Sequence, residues 1–100
     1  EEVVSVEIRD NYRNMRECIE PHMHLIRRAE AAFRKNGVEP LTQPIRGGTD
    51  GAALSYMGLP CPNLSTGGYQ FHGVFEFIPV RALQVMPEML QDLVYSFTEE

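Results

Sequence analysis

The chain reads as an α/β fold in the order β-α-β-α-β-α, and three observations predict it. Short β-branched or apolar runs recur at residues 3–8, 38–45 and 62–65. Stretches with helical apolar spacing alternate with them. Two glycine-rich turns punctuate the second half: Arg46-Gly47-Gly48-Thr49-Asp50-Gly51 and Thr66-Gly67-Gly68-Tyr69-Gln70-Phe71-His72-Gly73. Such alternation predicts a parallel or mixed sheet. A glycine turn between a strand end and a helix start is where such folds place their sites.

Taken in order, residues 3–8 alternate partly and are rich in valine and isoleucine, a strand pattern. Residues 10–14 are polar and turn-prone, a linker. From Pro21 to Lys35 the spacing of Leu25, Ile26, Ala29, Ala32 and Phe33 predicts a helix, which Asn36-Gly37 stops. Residues 38–45 predict a strand that Pro40 and Pro44 restrict to an edge or a short central stretch. Thr49 or Asp50 then caps a short helix over 51–57, stopped by Gly58. Residues 62–65 predict a short buried strand. Pro79 opens a last helix to about Phe97, with an apolar stripe of Leu83, Met86, Leu90, Leu93, Val94 and Phe97. Pro87 lies inside it and predicts a kink or a split.

The chain has 100 residues, room for one domain at most. Its hydrophobic share of 43% and charged share of 23% suit a globular protein. The net charge of −5, with no basic cluster beyond Arg27-Arg28, excludes a nucleic-acid role. No apolar run approaches the roughly eighteen residues of a membrane span, and the first residues lack signal-peptide character. Cys18 and Cys61 have no metal-motif spacing and read as reduced thiols, with Cys61 a small apolar core position between two prolines. The missing initiator Met suits a fragment.

His72 is the first candidate for chemistry, because neutral imidazole is both a common zinc ligand and a common general base. It reads equally as a hydrogen-bonded loop histidine. A catalytic zinc needs about three protein ligands, and no neighbouring residue completes a motif. Arg46 to Thr49 is the second candidate. Glycines at a helix start expose backbone N–H groups, and a guanidinium can grip a carboxylate at two points. The plainer alternative is a capped helix beside a solvated arginine. Glu76, four residues after His72, can act as a carboxylate that orients it, or be a solvated loop residue. His22 and His24 stand two apart, a poor ligand pair on a helix. Met57, Met86, Met89, Tyr95 and Phe97 fit core or rim packing better than a cofactor pocket.

Together, residues 44–52, 57–64, Thr66-Gly67-Gly68-Tyr69, Phe71-His72-Gly73 and Glu76-Phe77 resemble the C-terminal part of aminopeptidases in the di-zinc aminoacylase/carboxypeptidase G family. The resemblance runs from about Val6 to the final helix. It implies a two-zinc α/β/α catalytic domain interrupted by a smaller lid that often mediates dimerisation. By that resemblance, residues 1–14 match the end of the lid and its hinge, with residues 3–8 a lid strand. Residues 15–100 match the C-terminal part of the catalytic domain. His72 falls on the histidine of the family's terminal His-Gly motif and is implied as a zinc ligand. Arg46, Gly47, Gly48 and Thr49 are implied on the substrate side, Asp50 as a structural cap and Glu76 as a supporting residue.

The implied parent is a cytoplasmic metallo-aminopeptidase that releases the N-terminal residue of small peptides, tripeptides in particular. The family's His-x-Asp pair, bridging Asp, further acidic ligand and general-base Glu have no counterpart here. The chain alone is therefore expected to hold no catalytic residue, to bind zinc unstably and to be inactive. Pro87 and Val74-Phe75 also depart from the family pattern. Two alternatives stand beside this expectation: a non-catalytic, self-associating α/β domain, and a fragment of a related dipeptidase or acylase.

Overall fold

The computed structural model describes residues 3–99, so Glu1, Glu2 and Glu100, at the outer ends of the expected 1–14 and 15–100 segments, lie outside the described residues. The described residues form helices joined by irregular chain: α1 (Arg16–Ile19), a 3-10 turn (Glu20–His22), α2 (Met23–Lys35), α3 (Asp50–Tyr56) and α4 (Val80–Ser96).

The helix expected from Pro21 begins later, at Met23. Pro21 sits instead in the 3-10 turn, where its missing N–H removes no intrahelical bond. The short α1 before it has no counterpart in the sequence expectations. At the other end, Asn36-Gly37 stops α2 as expected. Gly37 adopts φ 74°, its N–H bonds the Arg34 carbonyl at 3.0 Å, and the Val38 N–H reaches back to the Phe33 carbonyl at 3.0 Å. This is the Schellman closure, in which a left-handed glycine lets two amides satisfy the last free carbonyls. α3 ends the same way: Gly58 has φ 98°, and the Leu59 N–H bonds the Leu54 carbonyl at 3.0 Å.

α4 runs as one helix through Pro87 and is not split. Its seventeen residues give it a length of about 25 Å. It packs on α2, and the residues buried on this pair are Ala29, Ala32 and Met89. Small alanines on α2 admit the bulk of Met89, which is fully enclosed. Polar contacts tie the same pair: Lys35 Nζ to Asp92 Oδ1 at 2.6 Å, Asn36 Nδ2 to Asp92 Oδ2 at 2.8 Å, and the Arg28 guanidinium 4.7 Å above the Phe97 ring. These bonds hold the Asp92 carboxyl below its ordinary range, first through Lys35 and then through Asn36, and hold the Lys35 amine above its own. A second, smaller packing unit joins α1 to α3 around Ile19, Ala52 and Ser55.

The α4 stripe expected from sequence is corrected in part. Met86 and Leu93 are half-buried, but Leu83, Leu90, Val94 and Phe97 are exposed. The helix is apolar on two faces, and α2 covers only one of them.

The three expected strands are not formed among the described residues. Residues 3–8, 38–45 and 62–65 carry no secondary structure, and one isolated bridge, Tyr69 to Phe77, is the whole of the β pairing. A strand is held by a neighbour's ladder of hydrogen bonds, and an apolar run without that neighbour has nothing to pair with. Val3 and Ile8 are accordingly 90% and 87% exposed.

The molecule is a flat slab of 65 × 37 × 17 Å. Its radius of gyration is 17.5 Å, against about 13 Å for a compact domain of this length. Its accessible surface is 8588 Å², against about 5,800 Å² for a folded monomer of this mass. The described chain leaves uncovered much of what a self-contained domain buries.

Candidate functional site

The first glycine turn is built onto α3. Thr49 is the N-cap: its extended backbone leads into the helix, and its hydroxyl accepts the Ala52 N–H at 3.1 Å. Asp50 occupies the first helical position, where a carboxylate favours the helix dipole. The Thr49 hydroxyl also accepts from Asn63 Nδ2 at 3.2 Å, so both its lone pairs are engaged within the chain. Gly47 has φ 85°, a conformation that glycine adopts without steric cost. At Gly48 the reason for glycine is close approach, since a Cβ there would fall inside the Tyr12 ring. The segment that leads into α1 thus lies directly on the turn. Arg46 is exposed and forms no ion pair among the described residues.

Ser55 anchors this turn to the chain that follows it. It is buried, with 4% exposure. Its hydroxyl donates to the Gly51 carbonyl at 2.7 Å and accepts the Cys61 N–H at 2.9 Å. A Cβ on Gly51 would stand 2.5 Å from the Cys61 carbonyl oxygen, so the loop passes against the bare helix backbone. Cys61 is half-buried, as Cys18 is, and both thiols are free. Ser55, Asn63 and Tyr12 carry no motif that marks them in the sequence as partners of this turn. Only the Ser55 bond to the carbonyl four residues back has a sequence signal, because serine within a helix commonly bonds there.

The second glycine turn is built onto α4. Gly67, with φ 79°, sits against that helix, where a Cβ would stand 2.7 Å from the Ala82 side chain. The chain then makes a closed loop. Tyr69 and Phe77 exchange backbone hydrogen bonds of 2.9 and 3.2 Å, and their rings stack at 5.2 Å. Within this clamp the Gly73 N–H bonds the Gln70 carbonyl at 3.1 Å, and the Glu76 N–H bonds the Gly73 carbonyl at 3.2 Å. His72 sits in the middle, exposed, with φ 65°. Gln70, two residues earlier, is also left-handed at φ 54°. Such conformations are uncommon outside glycine and concentrate at functional loops. Glu76 does contact His72, but its Oε2 accepts the His72 backbone N–H at 3.1 Å rather than a ring proton. A shallow groove beside the loop is lined by Thr66, Gly68, Phe71, Glu76, Phe77 and Ile78.

The two turns ride on different helices, and no hydrogen bond or ion pair joins them among the described residues. Nor do three His, Cys, Asp or Glu residues converge anywhere among the described residues. His22 and His24 lie edge to face, 6.1 Å apart, without a third group. A wider, open cleft is lined by Arg13, Asn14, Arg16, Glu17, Glu20 and Tyr56, and by neither glycine turn. Ion pairs of 2.6 and 2.7 Å fill it, so its charges are already matched to one another. There the Tyr56 hydroxyl donates to Glu17 at 2.6 Å, which pushes its pKa up to about 12. No helix among the described residues is long and apolar enough to cross a membrane.

No family model matches the chain. Curated relatives do. Peptidase T of Caldanaerobacter subterraneus subsp. tengcongensis is 54% identical over 94 residues, which is 94% of this chain and 23% of that protein. Peptidase T of Clostridium perfringens is 47% identical over 100 residues, all of this chain and 25% of that protein. Peptidase T of Aeromonas hydrophila subsp. hydrophila is 54% identical over 91 residues, 91% of this chain and 22% of that protein. The chain thus spans about a quarter of the length of the relatives it matches.

Proposed function

We infer, from the premise that this chain is a peptidase T-like segment, that it supplies one wall of the active site of a zinc-dependent aminopeptidase releasing the N-terminal residue of tripeptides. The similarity at 47–54% identity over nearly the whole chain supports the peptidase assignment. The observation that carries the site assignment is the His72 loop. An exposed histidine is held left-handed inside a doubly hydrogen-bonded clamp, in the segment resembling the family's metal-binding His-Gly motif. In this reading His72 contributes one zinc ligand. Arg46, Gly47, Gly48 and Thr49 face the peptide, with Arg46 gripping a carboxylate. Asp50 supports the α3 start and Glu76 supports the His72 loop.

The remaining ligands and the general base would come from the other three quarters of a peptidase T-length chain. So would the strands that complete an α/β/α sheet with residues 38–45 and 62–65. Residues 1–14 would be the end of a lid and its hinge, and 15–100 the catalytic part. The setting would be the cytoplasm, where two free thiols stay reduced. No catalytic step is assigned to this chain, because one histidine cannot hold a catalytic zinc. Alone, with added zinc, it is expected to hydrolyse no tripeptide.

A segment exchange tests the reading. The matching 94 residues of the Caldanaerobacter peptidase T are replaced by those of this chain. The chimera is expected to cleave a tripeptide, and His72→Ala in it to lose both bound zinc and activity. An active chimera indifferent to His72→Ala removes the metal role. Tripeptide hydrolysis by the isolated chain would contradict the division of the site.

A second reading, self-association without catalysis, is favoured by one observation. The surface of 8588 Å² exceeds that of a compact monomer by roughly 2,800 Å², against about 800 Å² per partner in a standard interface.

A further inference from the structure

We propose that Glu76 is the positioning residue for His72 and acts through the main chain, not through the imidazole. Its functional meaning rests on the reading of His72 as a metal ligand; the positioning itself does not.

Residues 69–77 form a loop whose ends are fixed. The Tyr69–Phe77 bridge closes it with two backbone hydrogen bonds and a stacked ring pair. Two further backbone bonds, Gly73 to Gln70 and Glu76 to Gly73, turn the chain inside it. His72 stands inside the first of these turns, in a conformation that a residue with a Cβ resists, φ 65°. Its own N–H finds no backbone carbonyl. The Glu76 carboxylate reaches it across four residues, at 3.1 Å. A charged acceptor makes one of the stronger bonds available to an amide, and here it offsets local strain.

The alternative role for this carboxylate is to accept a proton from the imidazole and fix its tautomer. The observed bond goes to the main chain instead, and the imidazole makes no hydrogen bond of its own among the described residues. Both ring nitrogens stay uncommitted while the residue that bears them is held in place. Such a division fixes the main chain that bears the ring and leaves both ring nitrogens free, one for a metal and the other for a second partner. Glutamine at 76 has the same reach and keeps an acceptor oxygen; alanine has none.

The test uses nuclear magnetic resonance on the chain, its Glu76→Ala variant and its Glu76→Gln variant. Two readouts are taken: amide hydrogen exchange at His72, and the strong intraresidue amide-to-α-proton contact that marks a left-handed residue. The Cys61 and Leu59 amides, held by Ser55 and by the α3 cap, serve as internal references. In Glu76→Ala the His72 amide is expected to exchange about tenfold faster, since one hydrogen bond to a charged acceptor is lost. The left-handed signature weakens while both references hold. Glu76→Gln is expected to restore most of both. Unchanged His72 exchange in Glu76→Ala overturns the proposal. So does an equal loss at Cys61 and Leu59, which would make Glu76 a general fold residue. Failure of Gln to rescue overturns it as well. The metal role is read separately, in the chimera with the Caldanaerobacter peptidase T, where the other ligands are present. If the Glu76 variants behave as stated and His72→Ala in the chimera leaves bound zinc unchanged, the positioning stands and the metal role falls.

Discussion

Ser55 is the residue on which the first glycine turn depends. Its buried hydroxyl joins the Gly51 carbonyl to the half-buried Cys61 amide at 2.7 and 2.9 Å. Ser55→Ala leaves the Cys61 N–H without an acceptor and is expected to destabilise the chain by about 1 kcal/mol, the low end of the penalty for an unmet polar group, because that amide is only partly buried. Urea unfolding measures this, and an unchanged midpoint would show that the two bonds carry no stability. Tyr56 offers a separate test by pH. Its hydroxyl donates to Glu17, a bond that ionisation would break; that bond above all raises its pKa from 10.0 to about 12. A raised pKa means that stability from this bond is complete below pH 10 and is lost as the pH climbs through about 12. The group is solvent-accessible, so the gain is small and weakens with salt. Absorbance titration of the phenol is expected to find the high midpoint, and Glu17→Gln to return it toward the ordinary value.

At the scale of the element, α4 stands apart. One face, with Ala82, Val85, Met86, Met89 and Leu93, is buried or half-buried. The other, with Val80, Leu83, Leu90, Val94 and Phe97, is exposed, and Pro87 lies on it. A helix apolar on two faces is one meant to be covered on both. Leu90→Glu places a charge in the middle of the open face, where Leu90 is 46% exposed. Light scattering is expected to show the unmodified chain as oligomers and the variant shifted toward monomer with its helix content intact. A monomeric unmodified chain would mean that this face does not drive association. The helix ends are the opposite case: α2 and α3 close with the same glycine device, and both stops are readable as Asn36-Gly37 and Met57-Gly58.

For the molecule as a whole, the radius of gyration of 17.5 Å and the flat outline describe a layer, not a sphere. Three runs with strand composition lie unpaired within it. Helices form here because their hydrogen bonds are internal to the segment, whereas strands do not, because theirs are made with another segment. The same asymmetry applies to the proposed zinc site. The His72 loop closes within nine residues and is complete, while a metal centre needs ligands brought from far apart in the chain.

Sequence by itself determined the positions of α2, α3 and α4, the glycine stops, a cap at Thr49 or Asp50 and the two glycine turns. Each depends on spacing or backbone chemistry over a few residues. It also carried the resemblance to a zinc-peptidase family, through motifs local enough to read in one piece. Tertiary structure alone decided that Ser55 and Asn63 tie the first turn to the following loop, that Tyr12 lies on Gly48, that Glu76 holds the His72 main chain and that α4 is covered on one side only. Those contacts join residues through packing and hydrogen bonds that composition and periodicity do not encode. The strand pattern was legible and the strands are absent for the same physical reason: a sequence can prepare a segment for a sheet, but only a neighbouring strand can make it one.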